Sequence, residues 1–350
     1  MANILAKSIA EKQDIKALLD KEVPTYRQAY SDRTSWLMAC LSELAYIKFN
    51  KPLIDKEDSK LVKTVSKLID ENKASSLSKL IDLLAYDNEA EKEKLKSDLD
   101  MLNMKIEKLF DTKGTQAMLV SSDKFYVLAF RGTEPTSVAD IKSDLNASTM
   151  QCESGGKIHT GFNDAFAHVH IEIQECIDSL ADEKPLFITG HSLGAALATV
   201  ATKMLTYQKP GIAGCYTYGS PRVGDEEWMQ SIKTPVYRLV NSADPVTMLP
   251  FGAETVNSIA WLSQWIPTVG KSIRTFLLSH YSGYYHVGYM RYITNVQDGD
   301  YKSAELLYSV NFLRRIRAYL LKKIPLMKIS GDHSITVYRR KLKCIAERRN

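Results

Sequence analysis

One short stretch constrains the fold more than any other: it runs from Gly190 to Ala198 and reads GHSLGAALA. Ser192 stands between two glycines, after the apolar run PLFIT and before an alanine-rich segment. A serine in the pattern G-x-S-x-G between a strand and a helix is typical of a sharp turn that presents the hydroxyl above a sheet. The glycines let the helix approach the strand without a Cβ clash. The stretch therefore predicts a strained turn between a buried strand and a helix.

Strands and helices alternate on both sides of this turn. The segments QAMLVSS and FYVLAF, separated by residues 122–124, are typical of a β-hairpin. Helix-like and strand-like segments then alternate from Asn163 to the strand VYRLVN, which ends at Asn241. Alternation of this kind predicts parallel crossovers and a sheet covered by helices on both faces. We therefore predict an α/β fold with a mostly parallel central sheet.

The chain of 350 residues is long enough for one large domain, residues 1–350, with additions. Residues 49–112 show helical patterns and predict a helical insertion or cap near the N-terminus, with a seam of apolar residues at helical spacing. The residues of this seam are Leu95, Leu99, Leu102, Ile106 and Leu109. Residues 251–285 are apolar and contain two tryptophans, which indicates either a helix pair packed on the core or a lid that contacts acyl chains.

Positive charge is concentrated near the end of the sequence. Residues 310–350 hold twelve Lys or Arg and two Asp or Glu, in a chain of net charge +5. Within residues 302–328, apolar residues at helical spacing alternate with Arg and Lys, a basic amphipathic segment. It favours contact with an anionic membrane surface, and a solvated helix face is the alternative. Nucleic acid is disfavoured because no recognition motif accompanies the charge.

The sequence also bears on location and redox state. Lys7, Glu11 and Lys12 interrupt the N-terminus before a continuous apolar region forms, and no apolar run reaches the roughly 18 residues of a transmembrane helix. We therefore expect a cytoplasmic protein as synthesised, with export by a non-classical route left open. The five cysteines are scattered and odd in number, which disfavours a disulfide framework and a zinc site.

A serine hydroxyl becomes an effective nucleophile only when a histidine takes its proton and a carboxylate orients that histidine. In folds with this turn, the carboxylate and then the histidine follow the serine, each on a loop after a later strand. Asp244 comes directly after the strand VYRLVN, and Pro245 stops that strand from continuing. Asp225 lies where a helix begins and is predicted to cap it. Asp244 is therefore the predicted carboxylate.

Three histidines follow Asp244, namely His280, His286 and His333. His286 lies among tyrosines in YYHVGY, where a buried structural histidine is the commoner outcome. His333 lies on a polar Gly-Asp turn, a position accessible to a general base. We therefore predict His333 as the base.

An oxyanion hole needs two hydrogen-bond donors. The N–H of Leu193, directly after the serine, is the first. The strand VLAF ends at Arg131-Gly132, so the N–H and hydroxyl of Thr133 are the predicted second donor.

Seven motifs taken together closely resemble the class 3, or fungal-type, lipases of the α/β-hydrolase superfamily. They are FRGTE, IHTGF, GHSLGAALA, YGSPRVGD, NSADPVTMLP, HVGY and DHSI. The resemblance implies Ser192, Asp244 and His333 as a catalytic triad, and Thr133 with Leu193 as the oxyanion hole. It also implies hydrolysis of the carboxyl esters of lipids without a metal or an organic cofactor.

From the residues and the resemblance we expect a serine lipid esterase of the lipase or phospholipase A type, acting through an acyl-enzyme. Triacylglycerol and phospholipid both remain open as substrates, and the basic segment favours phospholipid. One alternative is an inactive scaffold that binds a partner protein through residues 49–112. Another is a soluble hydrolase of small esters or thioesters.

Overall fold

The structure is a computed structural model. It describes residues 3–24, 30–48, 87–132, 148–208, 210–242, 244–250, 252, 260–261, 263–281, 283–296, 299–310 and 329–348. Among these residues, no helix combines the length and the apolar character that crossing a membrane requires.

A mixed sheet forms the centre of the molecule. Its strands are β1 (Lys105–Thr112), β2 (Thr115–Ser121), β3 (Tyr126–Phe130), β6 (Leu186–His191), β7 (Ile212–Tyr218), β8 (Val236–Asn241), β9 (Tyr289–Ile293) and β10 (Leu306–Leu307), in that spatial order. The pairs from β3 to β9 are parallel, and the pairs at the two edges are antiparallel. A separate ribbon contains β4 (Thr149–Gln151) and β5 (Lys157–His159). The predicted mostly parallel sheet and the β2–β3 hairpin are confirmed.

Helices cover both faces of this sheet. They are α1 (Ile9–Leu19), α2 (Asp32–Leu44), α3 (Asn88–Met101), α4 (Thr160–Asp178), α5 (Leu193–Met204), α6 (Glu226–Gln230), α7 (Gly270–Tyr281), α8 (Ile329–His333) and α9 (Ile335–Arg348). Met118 and Val120 of β2 pack on the side of α2 and α9. Ala117 and Leu119 of the same strand pack on the side of α4 and α5. Because successive side chains of a strand point to opposite faces, β2 contributes to two hydrophobic cores, one beneath each layer of helices.

The helical prediction for residues 49–112 is wrong at its C-terminal end, where β1 forms the edge of the sheet. Helix α3 ends at Met101, and Asn103 has φ 54°, a left-handed conformation that helices do not continue. A bulge between Ile106 and Lys108 then brings Ile106 and Leu109 against the same core. A bulge adds one residue to a strand, so residues three apart share a face and imitate helical spacing.

Residues 49–86 lie outside the described residues, and so do residues 311–328 of the basic segment. The predicted cap, its role in binding a partner protein and the amphipathic character of that segment therefore stay predictions.

Candidate active site

Ser192 occupies the turn between β6 and α5, with φ 59° and ψ −127°. This conformation is strained for a residue with a Cβ, as the sequence predicts. A Cβ on Gly190 would lie 2.2 Å from the carbonyl oxygen of Gly194, and one on Gly194 would lie 2.4 Å from that of Phe130. The two glycines are therefore required for the close approach of strand and helix, and they hold the strained serine in place.

The structure brings Ser192, Asp244 and His333 together from three distant parts of the chain. The Nε2 atom of His333 lies 2.8 Å from the Oγ of Ser192. On the other side of the same ring, Nδ1 lies 3.0 Å from each carboxylate oxygen of Asp244. Nδ1 donates to the carboxylate, so Nε2 is free to accept the serine proton. This is the arrangement in which an imidazole can act as a general base toward a hydroxyl.

Asp244 is fully buried at the end of β8 and is surrounded by donors. The backbone N–H of Val246 donates to Oδ1 at 3.0 Å, and the hydroxyl of Tyr338 donates to Oδ2 at 2.7 Å. Burial alone would raise the pKa of Asp244, but the charge of His333 and the hydrogen bonds from His333 and Tyr338 outweigh it and lower the pKa. Asp244 is therefore ionised and orients the imidazole.

Tyr338 stays protonated and so remains a donor to Asp244. Burial and the neighbouring carboxylate both raise the pKa of Tyr338 well above its ordinary value. The same hydroxyl oxygen accepts a hydrogen bond of 2.9 Å from the backbone N–H of Asn241. The hydroxyl of Tyr338, on helix α9, thus links the backbone at the end of β8 to the carboxylate of Asp244.

A second histidine lies beside His333. The Nε2 atom of His191 is 2.6 Å from the backbone oxygen of His333, and the centres of the two rings are 4.6 Å apart. The Nδ1 atom of His191 lies 2.8 Å from the hydroxyl oxygen of Tyr46. Burial first, and then the charge of His333, lower the pKa of His191 to about 3. The His191 ring is therefore neutral near neutral pH.

The other predicted site residues have different placements. The Nε2 of His286 contacts the backbone oxygen of Thr247 at 2.7 Å, on the turn after Asp244. Asp225 caps α6, as predicted, by accepting from the N–H of Trp228. Thr133 lies outside the described residues, as does the side chain of His280.

Leu193 opens helix α5. Its N–H belongs to the first helical turn, where N–H groups have no acceptor within the helix. The helix dipole adds partial positive charge at the same end.

Three residues at the site were missed by sequence reasoning, namely Tyr338, His191 and Tyr46. Tyr338 and Tyr46 make contacts across 94 and 145 residues of chain, and no local spacing predicts such contacts. A signal existed only for His191, which lies inside the G-x-S-x-G pattern itself. His191 precedes Asp244, however, and so does not fit the chain order expected for the base.

A mostly parallel sheet with helices on both faces, and a serine on a strained strand-to-helix turn beside a histidine and a buried aspartate, define an α/β-hydrolase. Comparison with known proteins narrows this class. Residues 127–254 match the family model described as Lipase (class 3).

Two relatives and one solved structure illustrate the likeness. A secreted mono- and diacylglycerol lipase of Fusarium solani is 34% identical over 40% of this chain and 44% of its own. A chloroplastic phospholipase A(1) of Arabidopsis thaliana is 33% identical over 31% of this chain and 26% of its own. The chain thus spans less than half the length of either relative.

The crystal structure of a mutant form of MDLA from Penicillium cyclopium superposes with a TM-score of 0.51. It is 18% identical and covers 86% of this chain and 93% of its own, and this likeness concerns the fold.

The secreted relative overturns the expected cytoplasmic location. The Fusarium solani protein is a secreted lipase and points to an extracellular location. The expectation relied on charged residues near the N-terminus, but Glu11 and Lys12 belong to a folded helix and Lys7 directly precedes its cap. Ser8 caps α1, and Ile15 and Leu18 of that helix are buried in the core. These charges are explained by the solvent-facing side of a helix and so carry no information about targeting.

Proposed function

We propose that this protein hydrolyses the carboxyl esters of lipids through an acyl-enzyme formed on Ser192. The observation that carries the proposal is the position of His333, whose ring lies within hydrogen-bonding distance of both Ser192 and Asp244. The match of residues 127–254 to the class 3 lipase model supports a lipid as the substrate.

The reaction follows from this geometry in two halves. His333 takes the proton of Ser192 as the serine oxygen attacks the ester carbonyl, and Asp244 stabilises the imidazolium that forms. His333 then gives the proton to the departing alcohol, which leaves an acyl group on the serine. In the second half His333 takes a proton from water, the hydroxide attacks the acyl carbonyl, and the fatty acid departs as the serine regains its proton.

The negative charge on the tetrahedral oxygen needs donors in place before the reaction begins. We assign this role to the N–H of Leu193 and to Thr133, which follows the described end of β3. Gly194 supports the assignment because its Cα packs against Phe130 and Gly132 at that end of β3. The turn and the end of β3 are therefore close together.

Ser192 is buried, with only 4% of its surface exposed. A lipid ester therefore reaches the serine only after part of the chain moves. We propose residues 251–285 as the segment that meets the lipid surface. Its described side chains include large exposed apolar groups, with Trp261 58%, Trp265 72% and Phe276 52% exposed. Tryptophan at a water-lipid boundary keeps an apolar ring in lipid and a polar edge in water.

The same segment is basic. Lys271 and Arg274 are exposed on α7, and residues 255–297 contain no Asp or Glu. An apolar surface with cations and without acids is complementary to anionic headgroups, each cation contributing about 1 kcal/mol near the surface. The basic segment 302–328 adds charge of the same sign. This charge favours phospholipid over neutral acylglycerol.

The experiment compares wild type with Ser192→Ala on a triolein emulsion, on phosphatidylcholine vesicles and on phosphatidylglycerol vesicles. We expect fatty acid release from at least one of these by wild type and none by Ser192→Ala. A fluorophosphonate should label wild type only. Ser179→Ala, at an exposed serine whose hydroxyl bonds the carbonyl of Cys176, serves as the control and should behave as wild type. A wild type that releases no fatty acid and is not labelled would contradict the proposal.

A further inference from the structure

The imidazole of His191 connects the two reacting side chains through the backbone. His191 is the last residue of β6 and directly precedes Ser192, while its ring reaches the main-chain carbonyl of His333. We propose that His191 and Tyr46 are positioning residues, which fix the backbone of His333 relative to Ser192 and so set the distance from Nε2 to the serine hydroxyl. This inference rests on the proposed ester hydrolysis.

The hydrogen-bond partners determine the tautomer of His191. A carbonyl oxygen can only accept, so Nε2 of His191 must carry the proton that is donated to His333. Nδ1 of the neutral ring is then an acceptor, and the hydroxyl of Tyr46 donates to it. The result is a directed series of hydrogen bonds from Tyr46 through His191 to the carbonyl of His333. Both ring nitrogens of His191 are therefore hydrogen-bonded, which fixes the orientation of the ring.

Tyr46 is itself held at the end of the sheet. It follows α2, and its N–H donates to the carbonyl oxygen of Glu43 at 3.1 Å. A Cβ on Gly132 would lie 2.2 Å from its hydroxyl oxygen and 2.5 Å from the carbonyl oxygen of His191. The hydroxyl of Tyr46 therefore fills the space that a side chain at position 132 would take, next to the end of β3.

The carbonyl of His333 lies at a helix end, where a hydrogen-bond donor has to come from outside the helix. His333 ends α8, and α9 begins two residues later at Ile335. Carbonyl groups in the last turn of a helix lack intrahelical donors. On the other side of this junction, the side-chain amide of Asn241 donates to the carbonyl of Asp332 at 2.8 Å. Asn241 at the end of β8 and His191 at the end of β6 thus hold the carbonyl groups of two successive residues, Asp332 and His333.

Neutrality of His191 matters for the reaction. The ring is buried, and its pKa of about 3 keeps it uncharged beside the imidazole that becomes positive when Ser192 attacks. A neutral donor orients the base without opposing its protonation. The distance from Nε2 of His333 to the hydroxyl of Ser192 has a large effect on the rate. A displacement of about 1 Å at a reacting group can lower the rate about a hundredfold.

The experiment uses a soluble short-chain p-nitrophenyl ester, so that binding to a lipid surface plays no part. His191→Met removes the donor at similar volume, and we expect kcat and the rate of fluorophosphonate labelling to fall about tenfold to a hundredfold with KM unchanged. His191→Gln carries an amide N–H that can donate to the same carbonyl, and it should recover part of this loss. Tyr46→Phe should give an intermediate loss of kcat.

Tyr207→Phe is the matched control. Tyr207 is half-buried like Tyr46, and its hydroxyl donates to the carbonyl of Lys184 at 2.6 Å, at the opposite end of β6. This variant should keep the kcat of wild type. The inference is overturned if folded His191→Met retains wild-type kcat and labelling, or if the Gln and Met variants lose kcat equally. A wild type without esterase activity or labelling would instead count against the proposed function.

Discussion

At the residue scale, His191 links catalysis to the acid stability of the fold. Its pKa is about 3 in the folded protein, against an ordinary value of 6.5. Between these two values the unfolded chain binds a proton that the folded protein does not bind. The free energy of unfolding therefore rises with pH across this window and falls as the solution is acidified.

We predict that His191→Gln flattens this dependence. In wild type the His191 contribution should be fully present above about pH 6.5 and be lost toward pH 3, by at most about 1.4 kcal/mol per pH unit. The measurement is urea unfolding of both proteins at several pH values from 7 to 4. His168→Gln, at an exposed position of α4, is the control and should keep the slope of wild type. Equal slopes for wild type and His191→Gln would show that burial of His191 does not suppress its protonation in the folded protein.

The residues of the site differ in how far the sequence reveals them. Ser192 was evident because the G-x-S-x-G pattern lies between a strand and a helix, and Asp244 and His333 followed from their order along the chain. Tyr338 and Tyr46 were not predictable, since each becomes relevant only when distant helices pack beside the site. Sequence patterns report local periodicity, whereas these two hydroxyl groups act through tertiary contacts.

At the element scale, α9 carries the groups that hold the site together and is fastened to α2. Arg339 of α9 forms a buried ion pair with Glu43 of α2. Arg339 also donates to the carbonyl of Leu5, and Thr336 donates to Glu43 at 2.6 Å. Tyr338, which bonds Asp244, lies in the same helix. Loosening α9 should therefore affect stability and catalysis together.

Removing one member of this buried pair should be costly. Arg339→Met leaves the carboxylate of Glu43 buried without its cation, and we expect a loss of about 3–5 kcal/mol in the free energy of unfolding. The double variant Glu43→Gln/Arg339→Met should recover part of this loss, because no charge is then left buried. Urea unfolding measures all three proteins. Lys92→Met, which breaks the exposed pair with Glu89, should change stability little. Equal effects of Arg339→Met and Lys92→Met would contradict the role given to the buried pair.

Elements were predicted well where their periodicity was regular. The β2–β3 hairpin and the elements from α4 to β8 follow the expected alternation, since parallel strands are continuous apolar runs bounded by turns. Strand β1 was taken for helix because its bulge reproduces a spacing of three residues. The turn at Lys113 and Gly114, both with positive φ, was the available signal for a hairpin.

At the scale of the whole molecule, Gly252 and Tyr284, which bound the segment with the exposed tryptophans, lie near the loop that follows Asp244. Gly252 pairs with Tyr284 in an isolated bridge, so the two ends of the segment lie together. The guanidinium of Arg222 packs against Gly252 and donates to the carbonyls of Met248 and Pro250, on the loop that follows Asp244. The exposed tryptophans therefore belong to a segment whose two ends lie beside the loop that carries Asp244.

We predict that this segment controls binding to lipid. Trp261→Ser/Trp265→Ser should weaken binding to phosphatidylglycerol vesicles and lower activity on them, because the apolar contact is lost. Activity on a soluble p-nitrophenyl ester should be unchanged. Lys271→Gln/Arg274→Gln should reduce the salt dependence of binding, since fewer charges are then screened. Vesicle sedimentation at low and high salt measures both effects. Ile171→Ser, at an exposed apolar residue of α4, is the control and should bind as wild type.

The order of the residues along the chain has a consequence for the cell that makes this protein. His333 comes after every strand that the structure describes, and β10 ends at Leu307. Ribosomes extend polypeptides from the amino end, so a growing chain carries its reactive alcohol and its carboxylate long before its imidazole. A growing chain therefore cannot carry out the proposed hydrolysis before His333 has been synthesised. The three side chains meet only when α8 and α9 have folded onto the sheet.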